Sequence, residues 1–244
     1  MDFSSRSYRK ELLDYPGIPP DDVERNMKEL DIINTWLGGH AISLAGLKQV
    51  MNGRPRGSSA VTGISSPLII CEIGCGGGDN MSAISRYCSK RNIKVQLIGV
   101  DWNPHCIAVA KAKRWSEKAD WIIADYSTVQ FEKRLPDIIF SSLFCHHFTE
   151  EELIFMLTWM QKHAKMGWFI NDLHRHPLAW YTIRWLTRWF SRSYLVKNDA
   201  PLSVLRGFTR KEWEKILQDA GMSNYSIRWK WAFRWLVLGG LIQN

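Results

Sequence analysis

The sequence contains no Cys-x-x-Cys pair, and its five cysteines, Cys71, Cys75, Cys88, Cys106 and Cys145, stand singly without a neighbouring zinc-ligand pattern. An odd, scattered set implies no disulfide framework; reduced thiols and no metal are the expectation. No window is apolar for the length that a bilayer demands, so no transmembrane helix is expected. The first residues, Met1-Asp2-Phe3-Ser4-Ser5, begin on an acid and lack the apolar stretch of a secretory leader. A cytoplasmic location is expected. Internal repeats and low-complexity tracts are missing too, which leaves no sign of a repeat array.

What is present is a chain of 244 residues, long enough for one sizeable α/β domain with an accessory cap and short for two independent domains. Its 45% hydrophobic and 23% charged residues are those of a globular protein. The formal charge of +8 admits nucleic acid, anionic lipid or an acidic small molecule as partner and does not choose among them. Of 13 tryptophans, seven (Trp180, Trp185, Trp189, Trp213, Trp229, Trp231 and Trp235) fall in the last third among arginines and lysines. Core and cap packing, with cations lying along the rings, accounts for them better than a platform for stacking nucleobases.

Residues Pro20 to Val50 read as two helices, with Val23, Met27, Leu30, Ile33 and Leu37 at helical spacing and Gly38-Gly39 as the interruption. A linker without hydrophobic period follows between Met51 and Pro67. From Leu68 onward short apolar runs alternate with amphipathic stretches: Leu68 to Ile73, Val95 to Val100, Trp121 to Ala124, Asp137 to Ser141 and Trp168 to Ile170. This is the pattern of βα units around a parallel sheet buried on both faces. The amphipathic segment Pro177 to Phe190 reads as a cap helix inserted into that pattern. Thr209 caps a helix from about Arg210 to Ala220, and the runs Tyr225 to Trp229 and Phe233 to Leu238 read as a terminal strand pair.

The most informative segment is Leu68-Ile69-Ile70-Cys71-Glu72-Ile73-Gly74-Cys75-Gly76-Gly77-Gly78-Asp79, a buried strand running into a glycine loop and a helix. Glycines there let the backbone approach a ligand closely at the carboxyl end of a sheet. The dinucleotide fingerprint would have glycine where Asp79 stands, and an anionic side chain there suits an ammonium group better than a pyrophosphate. Asp101-Trp102-Asn103-Pro104 and Ile122-Ile123-Ala124-Asp125-Tyr126 then end the next two strands. In this order the motifs resemble those of the class I S-adenosylmethionine-dependent methyltransferases. The resemblance implies a Rossmann-like α/β fold: a mostly parallel seven-stranded sheet with helices on both faces. Residues 1–66 would be an N-terminal helical cap and linker, and 67–244 the methyltransferase domain with a Trp-rich cap insertion at about 177–206. It implies S-adenosylmethionine held by Glu72, Gly74, Cys75, Gly76, Gly78, Trp102, Tyr126 and Ser141, with Asp101 at the ribose and Asp125 at the adenine.

Ser141-Ser142-Leu143-Phe144-Cys145-His146-His147 lacks the Asn/Asp-Pro-Pro-aromatic motif of many nitrogen methyltransferases and is similar to the quinone-pathway (UbiE-like) group. A neutral imidazole suits removal of a proton from a phenol, so His146 and His147 are candidate bases, with His174 in reserve. Arg175 would hold a carboxylate or phenolate, or else pair with Asp172. Trp36, Trp180, Trp185 and Trp189 would wall a broad apolar acceptor pocket. The expected reaction is O-methylation of a hydrophobic phenolic or quinone-like small molecule, of the polyketide-tailoring kind; C-methylation of a quinone-type acceptor is the alternative. Nucleic acid is not expected as a partner. A non-catalytic protein touching a membrane through Arg184, Arg188 and Arg192 beside Trp185 and Trp189 remains the rival from another class.

Overall fold

The computed structural model describes residues 1–53, 66–131 and 134–240; most of the expected linker, 54–65, lies outside them. The elements run α1 (Pro20–Trp36), α2 (Gly39–Asn52), β1 (Leu68–Ile73), α3 (Asp79–Ser89), β2 (Val95–Asp101), α4 (Pro104–Lys111), β3 (Ala119–Ile123), β4 (Ile138–Ser142), α5 (Glu150–His163), β5 (Gly167–Leu173), α6 (Pro177–Phe190), α7 (Tyr194–Arg206), α8 (Arg210–Asp219), β6 (Tyr225–Lys230) and β7 (Arg234–Gly239). The strands form one sheet in the order β3-β2-β1-β4-β5-β7-β6. All neighbours are parallel except β7, which runs antiparallel to both β5 and β6.

Every residue of β1 and β4 is buried, because helices cover both faces. Alternation divides the side chains: Ile69, Cys71, Ile73, Ile139 and Ile170 meet Leu153, Met156 and Leu157 of α5 and Trp213 and Ile216 of α8. Leu68, Ile70, Ile138, Phe140 and Phe169 meet Ile42, Leu47 and Val50 of α2 and Met81 and Ile84 of α3. Helix α2 is therefore part of the sheet's cover rather than of the cap. It comes so close that a Cβ at Gly46 would stand 2.5 Å from the Phe169 ring. Among the described residues no helix is long and apolar enough to cross a membrane.

Strand β5 is longer than its apolar run. It continues through Asn171 and Asp172, both fully buried, in register with Leu236 and Trp235 of β7. That extension carries Asp172 to the sheet's carboxyl edge.

Above that edge α1, α6, α7 and the first fourteen residues form a roof. Residues 1–14 carry little regular structure and are pinned by polar contacts. The Arg6 guanidinium donates to the carbonyls of Arg206 and Phe148 at 3.0 and 2.9 Å. The Leu12 and Leu13 amides donate to the Asp199 carboxylate at 2.8 and 3.1 Å.

Candidate active site

A cavity of about 1010 Å³ opens at the carboxyl edge of the sheet, where strand order reverses between β1 and β4. Open α/β sheets bind ligands at this place because the flanking loops part to opposite faces.

At one end of the cavity Gly74 and Gly76 adopt φ of 66° and 49°. A Cβ at Gly74 would lie 2.2 Å from the Phe144 ring, so a side chain there would displace the loop after β4. Asp101 ties two loops together: its carboxylate accepts the Gly76 amide at 2.8 Å and the Asn103 amide at 2.9 Å. Glu72 is buried, which pushes its pKa well above the usual carboxylate range. One of its oxygens accepts from the Asn80 amide group at 3.3 Å, and the other, Oε2, has no partner. Asp125 accepts the Ser127 amide at 2.8 Å, capping the turn that buries the Tyr126 ring against Phe144, Phe148 and Trp159. Glu72, Gly74, Cys75, Gly76, Asp101, Trp102, Asp125 and Tyr126 all line the cavity.

Two other expected cofactor contacts are not on the wall. Gly78, with φ 74°, starts α3 and faces Trp121, where a Cβ would lie 2.6 Å from the indole. Ser141 is fully buried with its hydroxyl 3.3 Å from Cys145 Sγ; alternation along β4 puts Ser142 on the cavity instead.

Across the cavity, His146 and His147 sit in the short turn after β4. Nδ1 of His146 stands 2.8 Å from Asp172, whose carboxylate also accepts the amides of Phe144, His146 and Leu173 at 3.1, 3.3 and 2.7 Å. Its other nitrogen faces Glu11 at 3.5 Å. Burial disfavours the imidazolium, yet the Asp172 and Glu11 carboxylates outweigh it and push the His146 pKa up to about 9. A neutral proton acceptor at neutral pH was expected of this residue; two adjacent carboxylates correct that. His147 places Nδ1 3.1 Å from Asp14 and Nε2 3.8 Å from Glu11. Burial would raise Glu11 and Asp14, but His147 and His146 hold the Glu11 carboxylate, and His147 the Asp14 carboxylate, below the usual range.

The remaining acceptor-side expectations are corrected by position. His174 does not line the cavity: its Nδ1 accepts the Trp229 indole N–H at 3.2 Å, and burial lowers its pKa to about 4. Arg175 is buried in a two-point ion pair with Glu212, at 2.7 and 3.0 Å, because the chain bends away from the cleft after Leu173. Trp180 packs under the roof with Ile183 and Val204. Trp36, Trp185 and Trp189 are 85%, 62% and 68% exposed and do not line the cavity. In their place Leu30 and Ile33 of α1, Leu178 and Ile183 of α6 and Val204 of α7 line the chamber. Glu11, Asp14 and Arg234, also on the wall, were not anticipated, since no periodicity or motif marks them.

Residues 70–167 match a family model described as a methyltransferase domain. The chain has the class I methyltransferase fold. The methyl donor of that class is S-adenosylmethionine. Solved structures of this fold include the plantazolicin methyltransferase BpumL in complex with a monoazolic desmethylPZN analog and SAH, at 18% identity and TM-score 0.59, covering 84% of this chain and 74% of that one. A putative O-methyltransferase from Nostoc punctiforme aligns at 13% identity and TM-score 0.57, over 90% of this chain and 60% of its own. The citrinin polyketide synthase CMeT domain aligns at 14% identity and TM-score 0.57, over 81% of this chain and 51% of that one. No curated sequence matches this chain.

Proposed function

We propose that this methyltransferase moves the methyl group of S-adenosylmethionine onto an oxygen of a small, largely apolar phenolic or quinone-like acceptor. The observation that carries this reading is one continuous cavity, which joins the carboxylate-tipped ends of β1, β2 and β3 to the apolar chamber under α1, α6 and α7. The cofactor end fits the donor. Glu72, with one buried oxygen unpartnered, suits the α-ammonium group, Asp101 the ribose hydroxyls, and Asp125 the adenine amino group. When bound, the donor supplies a carbon already activated by its sulfonium. The protein aligns the acceptor, and its roof excludes water. The small-molecule reading is supported by relatives that bear plantazolicin and citrinin polyketide synthase names. Incubation with S-adenosylmethionine and a panel of alkylated phenols and hydroquinones, read by mass spectrometry, should give a methyl ether. Product methylated on carbon would overturn the choice of oxygen, and absence of calorimetric binding of SAH would overturn the whole reading.

Arg234 gives the acceptor a chemical handle. It is buried and lines the cavity; Nη2 donates to Asn34 Oδ1 at 2.9 Å, while Nε and Nη1 have no partner. Burial lowers its pKa to about 10, so the cation persists at neutral pH. An ionised acceptor oxygen would satisfy it. An Arg234→Met change should raise the acceptor KM roughly 10- to 150-fold, the equivalent of about 1.5–3 kcal/mol for a bond to a charged group. Stability should hold or rise, because an incompletely paired buried cation is removed. Steady-state kinetics with an unchanged KM would exclude the contact.

A second reading concerns the roof's outer surface. Tyr181, Trp185, Trp189 and Phe190 of α6 are all more than half exposed, beside Arg184, Arg188 and Arg192. Aromatic rings flanked by cations suit an anionic bilayer surface, from which an apolar acceptor would enter. The double change Trp185→Ala, Trp189→Ala should abolish co-sedimentation with phosphatidylserine vesicles and leave SAH affinity unchanged. Co-sedimentation equal to that of the unaltered protein would remove the proposal.

A further inference from the structure

Glu11, His146 and His147 come from distant parts of the chain, yet one ligand atom from each falls within 4.8 Å of the others. Glu11 Oε1 also accepts the Ser203 hydroxyl at 2.7 Å. Each histidine has its Nδ1 beside a carboxylate of its own, His146 at 2.8 Å from Asp172 and His147 at 3.1 Å from Asp14. Both Nε2 atoms are thereby turned the same way, toward the two oxygens of Glu11. The separations there, 3.5 and 3.8 Å, are long for charge-assisted hydrogen bonds. They approach the edge of a coordination tetrahedron, which for bonds of about 2.0–2.1 Å is about 3.4 Å.

We propose that Glu11, His146 and His147 form a binding site for a divalent zinc-class metal ion, with Asp172 and Asp14 as the carboxylates that orient the two imidazoles. Two imidazoles and one carboxylate suit zinc and its neighbours better than magnesium or calcium, which prefer all-oxygen shells. Metal-ligating histidines nearly always donate their second N–H to a carboxylate, carbonyl or water, an arrangement that fixes ring orientation. Here the pattern occurs twice. Charge is favourable as well: three carboxylates, Glu11, Asp14 and Asp172, surround two imidazoles, with the Arg206 guanidinium 3.8 Å from Asp14. Arg206 donates to the His146 carbonyl and Arg6 to that of Phe148, while Nη1 of Arg6 has no partner.

All three ligands line the cavity, so a ligand position left open toward it could be taken by water or by an acceptor oxygen. An acceptor hydroxyl bound there would have its pKa lowered and lose its proton to solvent water in place of a protein base, a role that rests on the oxygen-methylation reading above. The site itself does not rest on that reading.

The test uses the full chain, stripped with a chelator and titrated with Co²⁺ and Zn²⁺. One equivalent of Co²⁺ should bind with visible d–d absorption of a low-coordinate site, and Zn²⁺ should displace it. Glu11→Gln, His146→Gln and His147→Gln should each remove that equivalent. Asp172→Asn and Asp14→Asn should weaken it about 10- to 100-fold. Calorimetric binding of SAH reports whether each variant is folded and separates failure of the metal site from failure of the methyltransferase reading. A stripped protein that binds SAH but takes up no Co²⁺ or Zn²⁺ overturns the site, as does metal affinity unchanged in folded Glu11→Gln and His147→Gln variants.

Discussion

An Arg175→Ala protein should melt roughly 6–20 °C below the unaltered one, from a loss of about 3–5 kcal/mol at 2–4 °C per kcal/mol for a chain of this size. The guanidinium is buried and pairs through two nitrogens with Glu212, whose side chain is 21% exposed. It also donates to the carbonyls of Gly207 and Phe3 at 2.6 and 3.0 Å. Removing it leaves the Glu212 carboxylate without its cation and two carbonyls without a donor, which is why the loss exceeds that of a surface pair. Phe3 belongs to the segment that carries Glu11 and Asp14 over the cavity. The folded fraction of Arg175→Ala should therefore keep SAH affinity while losing Co²⁺ affinity. Calorimetry and a thermal melt check both parts; a shift in melting temperature under 3 °C would show that the ion pair is not structural.

Asp101→Ala should weaken SAH binding by roughly 10- to 150-fold, about 1.5–3 kcal/mol for hydrogen bonds to a charged acceptor. In the structure the carboxylate already accepts the Gly76 and Asn103 amides, so it shapes both loops that would flank the ribose. Loss of the side chain frees those amides as well as removing the ribose acceptor. Asp101→Asn, which keeps one carbonyl oxygen, should fall between the two. Unchanged affinity in a folded Asp101→Ala protein would refute the placement of the ribose. The expected change is confined to the cofactor end, since Arg234 and the histidine turn stand on other strands.

Periodicity decided the sheet. Strands β1 and β4 are buried along their whole length, and β2 from Leu97 to Asp101, because both faces are covered there, and such mainly apolar runs are visible in sequence to within a residue or two. Strand β3 begins at Ala119, two residues before its apolar run, because pairing with Leu97 and Ile98 of β2 extends it. Strand β5 outlasts its apolar run for a different reason: the Asn171 side-chain amide donates to the Gly39 carbonyl and the hydroxyls of Ser43 and Ser142, although its Oδ1 has no partner, and Asp172 is met by the histidine turn. Polar residues with such partners can be buried, and hydrophobic pattern cannot foresee the partners.

The sequence by itself determined the βα order, the glycine loop and the acidic strand ends, since each depends on neighbours in the chain: alternation of side chains, a turn that only glycine tolerates, a residue ending a strand. Tertiary structure alone decided what faces the acceptor. Amphipathicity marks α6 as two-faced but does not say which face turns inward, and the indoles of Trp185 and Trp189 went outward while Ile183 and Leu186 went in. Glu11 and His146 lie 135 positions apart, joined because Arg6, Asp199 and Arg206 pin an irregular segment across the sheet's edge. That convergence is set by long-range polar contacts between segments with no shared period, so it leaves no trace in either segment alone.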